Sequence, residues 1–144
     1  MTSYIVPGPI MDATAIADYD EALAVIRDAR AALDPEPIIE RLSPDAVYEA
    51  QNVLAPLDGY EVIAEYLRER FAFFRKLTAE RDIGVMRLGR VSLPQAASHP
   101  CLIFEADGEW QALWVLTLNP IGAISRIDIL TVAPTPEMAW VPER

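Results

Sequence analysis

Near residue 80 the chain changes rhythm, and that change limits its possible folds more than any other feature. Downstream, residues 83–91, 101–106, 110–118 and 123–132 are runs of β-branched, aromatic and apolar residues of strand length. They are separated by Asp107-Gly108, where glycine accepts the positive φ of a tight hairpin, and by the turn Asn119-Pro-Ile-Gly122. Upstream lies one long amphipathic run. Asp58-Gly-Tyr-Glu61 has capping-box spacing, so Asp58 is expected to accept from the residue 61 amide at the start of a long helix. Ile63, Tyr66, Leu67, Phe73, Phe74 and Leu77 form its apolar side, and Glu65, Arg68, Glu69, Arg75 and Lys76 its solvated one.

Before that helix the pattern is helical twice and then extended. Ile16, Tyr19, Leu23, Ile26 and Leu33 fall near one helical face over residues 14–33, with Asp20, Glu21, Arg27, Asp28 and Arg30 elsewhere. Pro35 disfavours helical geometry in the residue before it, which predicts a stop near Asp34. Asp34 can cap a second short helix over residues 35–42, ended by Ser43-Pro44, and a strand is expected from Asp45. The reading is an N-terminal arm (1–13), one domain (14–133) and a C-terminal tail (134–144). Three helices followed by antiparallel strands make an α+β domain with its helices on one face of a sheet.

Composition limits partners more than fold. At 144 residues the chain suits a single core, and one cysteine, Cys101, builds neither a disulfide framework nor a zinc site. Twelve Lys and Arg against 22 Asp and Glu leave a net charge of −10, which argues against nucleic acid or an anionic membrane as partner. No apolar run approaches the roughly 18 residues needed to span a bilayer. No basic residue precedes the apolar stretch of the N-terminus, so no secretory leader is expected and the cytoplasm is the expected location. Phosphate loops, dinucleotide fingerprints and metal-ligand clusters are missing, and no metal, flavin or nicotinamide cofactor is expected.

Three segments carry a family resemblance: Leu42-Ser-Pro-Asp-Ala-Val-Tyr48, the Leu57-Asp-Gly59 turn into Ile63-Ala-Glu-Tyr-Leu-Arg-Glu-Arg-Phe71, and Leu118-Asn-Pro-Ile-Gly-Ala-Ile124. In order and spacing the chain resembles the nuclear transport factor 2-like superfamily, in its SnoaL-like (polyketide cyclase-like) branch. The resemblance implies a cystatin-like α+β roll: a cone-like curved antiparallel sheet around a long helix, with an apolar pocket at its wide end and frequent homodimerisation. In members resembling ketosteroid isomerase, a carboxylate base ends the first strand, a position that falls on Ala50 here. The protonated acid of those enzymes falls on Trp114, and their first-helix phenol falls within residues 26–29, which contain no tyrosine. Steroid-isomerase chemistry by that constellation is therefore not expected.

The site candidates follow from these positions. Tyr48, Ala50, Tyr66, Phe104 and Trp114 are expected to line an apolar pocket, with the Tyr48 hydroxyl able to orient a ligand or act on its proton. Asp128 interrupts an apolar strand and is the other catalytic candidate, either a base facing the pocket or a carboxylate paired with a neighbouring arginine. Alternation groups it with Arg126 and Leu130 against Ile127 and Ile129, and both faces are partly apolar, so its orientation is open. His99 is expected in a turn, solvated or merely structural, and Cys101 in a buried strand. Gln51 and Asn52 stand near the expected pocket mouth, where they can bind a ligand or satisfy a loop.

Two functions lead. One is a small-molecule-binding domain; the other is a cofactor-free cyclase, dehydratase, isomerase or hydrolase acting on an apolar substrate. An adaptor that binds protein through its outer sheet is a third. A homodimer is expected because residues 124–132 are apolar on both faces and need cover on each.

Overall fold

The computed structural model describes residues 12–51, 55–78, 83–93, 96–131 and 138–142. Helix α1, Ala13–Ala32, starts at Asp12, whose carboxylate accepts from the Ala15 amide at 2.8 Å. It ends where Leu33 turns left-handed at φ 57°, with the Leu33 and Asp34 amides donating to the carbonyls of Arg30 and Ala29. Helix α2, Glu36–Ile39, follows, and the Asp34 carboxylate accepts from the Glu36 amide at 3.1 Å.

That second helix is shorter than expected because strand β1, Leu42–Ala50, begins early. Ser43 and Pro44 lie inside the strand instead of ending the helix. The pairing register of β1 shifts between Leu42 and Val47, and Pro44 sits in this irregular stretch, where the ladder asks it for no amide proton.

Strand β2, Leu57–Asp58, leads into helix α3, Tyr60–Thr78, and here the capping expectation fails. Asp58 is exposed and pairs with Val47 across β1, one residue too early to cap. Gly59 holds the junction instead, at φ 99°: its amide donates to Ala46 and its carbonyl accepts from Ile63.

Strands β3 (Val85–Leu93), β4 (Ala96–Ala106), β5 (Glu109–Leu118), β6 (Ile124–Leu130) and β7 (Ala139–Trp140) complete a sheet of order β2-β1-β6-β5-β4-β3-β7. Every neighbouring pair is antiparallel except β1 and β6, which run parallel with Tyr48 beside Ile127 and Ala50 beside Ile129. Helices α1 and α3 bury one face of the sheet, with Leu23, Ile26, Ile63, Leu67, Leu102 and Leu116 among its fully covered residues.

The other face is apolar too, and the chain covers part of it itself. Val91, Cys101, Ile103, Leu113 and Ala139 are inaccessible to solvent, with Trp110, Leu130 and Met138 packed against them. The cover comes partly from the segment read as a tail, since β7 pairs with β3 at Arg90 and Val91. The chain thus supplies from within part of the cover that this face needs. No helix among the described residues is long and apolar enough to cross a membrane.

Candidate functional site

Helix α3 presents Tyr66, Arg70 and Phe74 at intervals of four, which places them in one row along the helix. Opposite that row, alternate sheet positions present Tyr48, Met86, Phe104, Trp114 and Ile129 from five strands. Between the two lies a cavity of about 610 Å³. Arg30 of α1 closes one side, and Asp107 and Gln111 at the β4–β5 hairpin stand at its rim. Gly84 makes room for one wall: a Cβ there would stand 2.7 Å from both the Phe104 ring and the Glu105 carbonyl.

Tyr48 is the innermost polar group. It is 5% exposed, with its ring centroid 5.1 Å from that of Tyr66 and 6.5 Å from that of Trp114. Burial drives its phenol pKa well above the ordinary value, and the neighbouring Tyr66 phenol pushes the same way, against a smaller opposing effect of the Arg70 charge. At neutral pH Tyr48 is therefore a neutral hydrogen-bonding group and not a base.

Two guanidinium groups flank one ring. Arg30, buried on α1, donates from Nη2 to the Ile83 carbonyl at 2.9 Å and lies 4.3 Å from the Phe74 centroid. Arg70 approaches the same ring at 5.0 Å from the exposed end of the cavity. Both are within cation–π range. Phe74 was legible as part of an apolar helix face, but the arginines were not singled out. Spacing could have found both: Arg30 is four residues past buried Ile26, and Arg70 is four past Tyr66.

Of the residues singled out by sequence, Tyr48, Tyr66, Phe104 and Trp114 come together around the cavity. Ala50 does not join them. It is buried beside Ile129 in the β1–β6 pair, and the longer Ile129 side chain forms the wall there. Asp128 is also elsewhere. The register of β6 places Ile127 and Ile129 with Leu116 and Trp114 on the helix side, so Asp128 and Val115 share the opposite face. Asp128 is paired there with Arg126 at 3.0 Å, and Arg126 also binds Glu49. A base for the cavity's occupant has to reach it, and from this face Asp128 does not.

Gln51 satisfies its own neighbourhood, its Oε1 accepting from the Thr131 amide at 2.8 Å and from the Thr131 hydroxyl at 3.2 Å. Asn52 lies outside the described residues. His99 is not a solvated turn residue: it lies in β4, about nine-tenths buried, with its ring edge-on to Tyr19 at 5.1 Å. Cys101 is buried as expected, and burial pushes its thiol up to about 12.

No protein-family model matches the chain, and no curated protein matches its sequence. Solved structures match its fold. A SnoaL-like protein of unknown function from Burkholderia thailandensis shares 15% identity at a TM-score of 0.60, over 84% of this chain and 96% of that one. A steroid delta-isomerase from Pseudomonas aeruginosa shares 14% at 0.53, over 85% and 82%. The Orange Carotenoid Protein of Anabaena (Nostoc), solved binding canthaxanthin, shares 15% at 0.57, over 92% of this chain but 39% of that longer one. The chain has the nuclear transport factor 2-like, cystatin-like α+β fold.

Proposed function

We propose that this chain is a small-molecule-binding domain that takes a flat, mostly apolar ligand between α3 and the sheet. One observation carries the reading: a cavity of about 610 Å³ walled by Tyr48, Tyr66, Phe74, Phe104 and Trp114. Sites for small ligands are concave, mainly apolar and aromatic, with a few polar groups that fix orientation, and typically enclose about 300–1,000 Å³. Tyr48 and Tyr66 are such orienting groups. Similarity in fold to a steroid delta-isomerase and to a carotenoid-binding protein is compatible with an apolar ligand.

Catalysis is the second reading, and the side chains favour it less. Among the described residues lining the cavity the one carboxylate is Asp107, exposed on the hairpin turn and away from the inner walls. Proton abstraction needs a base within hydrogen-bond reach of the substrate. Homodimerisation and a cytoplasmic location are proposed alongside, on sequence grounds.

The test uses 2-naphthamide, a flat neutral probe. It should raise the melting temperature of the wild type. Ala112→Phe, which adds bulk at a lining position facing Phe104 across the β4–β5 pair, should abolish that rise while leaving a folded protein by circular dichroism. A shift that survives in Ala112→Phe would place binding elsewhere.

A further inference from the structure

The cavity contains a cation for which the described residues supply no ion pair. Six other arginines, Arg27, Arg41, Arg68, Arg87, Arg90 and Arg126, are ion-paired with carboxylates. The chain has acids to spare, 22 against 12 basic residues. Arg70 is different: among the described residues no carboxylate lies within 4 Å of it, and its guanidinium instead faces the rings of Phe74 at 5.0 Å and Phe73 at 5.6 Å.

Its position on the helix directs that charge at the cavity. Arg70 lies one turn beyond Tyr66 and one turn before Phe74, and all three line the same space. The Tyr48 and Tyr66 rings lie 5.1 Å apart against the same space, and each phenol carries a proton that it can donate. A planar guanidinium and a phenol proton thus border a pocket whose remaining walls are mainly apolar. Guanidinium has the fork geometry that binds a carboxylate through two parallel hydrogen bonds, and partial removal from water strengthens such a bond.

We propose that the ligand is an aromatic carboxylate, its ring held among Tyr48, Phe104 and Trp114 and its carboxylate bound by Arg70 with a phenol proton from the Tyr48–Tyr66 pair. The inference rests on the cavity being the binding site and adds the ligand's charge. A surface of net charge −10 repels anions at long range, so the acid is selected by this local contact and not by the field of the whole molecule.

Two probes of nearly equal shape separate the claims: 2-naphthoate, which is anionic, and neutral 2-naphthamide, each titrated calorimetrically. In the wild type the acid should bind about tenfold more tightly than the amide, a gain in the range of a hydrogen bond to a charged group. In Arg70→Gln that ratio should fall to about one, and Arg70→Lys, which keeps the charge but loses the fork, should give an intermediate value. Arg70 is exposed, so both variants should fold, which near-ultraviolet circular dichroism checks. Equal affinities in the wild type, or a ratio that survives in Arg70→Gln, would overturn the carboxylate site while leaving the pocket in place if the amide still binds and Ala112→Phe still blocks it. Failure of both probes to bind the wild type would overturn the pocket reading and this inference with it.

Discussion

His99 shows how strongly one side chain can depend on protonation. Its Nε2 stands 3.3 Å from the Leu116 carbonyl, and its Nδ1 is buried without a hydrogen-bond partner in the described structure. A neutral ring with its proton on Nε2 fits this arrangement; a charged ring would bury a second donor with nothing to receive it. Burial lowers the pKa of His99, with the Leu116 carbonyl opposing in part. The unfolded chain then binds the proton more readily than the folded one, so stability falls as pH drops below about 6.5 and levels off once both states are protonated. Urea midpoints measured from pH 7.5 to 5 should show this decline, and His99→Phe should flatten it; an equal slope in the variant would assign the effect elsewhere. Other residues show how far strand and helix periodicity reaches. Tyr48, Tyr66, Phe104 and Trp114 could be placed because strand alternation and helix spacing agreed on one face. For Asp128 the same rule gave no answer, since both faces of β6 bury apolar side chains and only the register with β5 and β1 fixes its direction.

At the scale of elements, the long helix and strands β3 to β6 were legible because each combines a clear period with a turn signal. Their ends were less so. Capping-box spacing at Asp58 describes a local preference, and pairing of Asp58 with β1 overrode it, moving the helix start to Tyr60. Two substitutions distinguish these readings. Asp58→Ala should leave the urea midpoint within the equivalent of about 0.5 kcal/mol, because an exposed side chain with no capping role is lost. Gly59→Ala should lower stability by about 1–2 kcal/mol although space for a Cβ exists there, because the backbone has φ 99°. The reverse order of effects would restore Asp58 as the cap. Strand β7 escaped notice for a different reason: two residues have no readable period, and their pairing with β3 is a tertiary event.

The whole molecule has two apolar layers on either side of one sheet, and a two-residue strand helps close the outer layer. Removing residues 138–144 takes Ala139 from against Val91 and frees the β3 edge. The loss should be about 2 kcal/mol, on the scale of exposing one fully buried aliphatic side chain. Free strand edges and apolar faces also recruit other chains. Light scattering at equal concentration should therefore give the truncated protein a larger average mass than the full chain; identical masses and melting temperatures would show that β7 is dispensable. The sequence argument for a dimer and this short strand concern the same apolar face, part of whose cover comes from within the chain and could not be read from a two-residue strand.

The parallel pairing of β1 with β6 has a consequence in time. Tyr48 and Ile127, neighbours across that pair, are about eighty positions apart along the chain. During synthesis, then, Tyr48 leaves the ribosome long before the strand beside it, and the innermost wall of the cavity is completed only when nearly the whole chain is available. Closing so long a loop costs entropy before any contact repays it, which makes this a late step in folding. A ligand held between Tyr48 and Ile129 would bridge two strands that lie far apart along the chain.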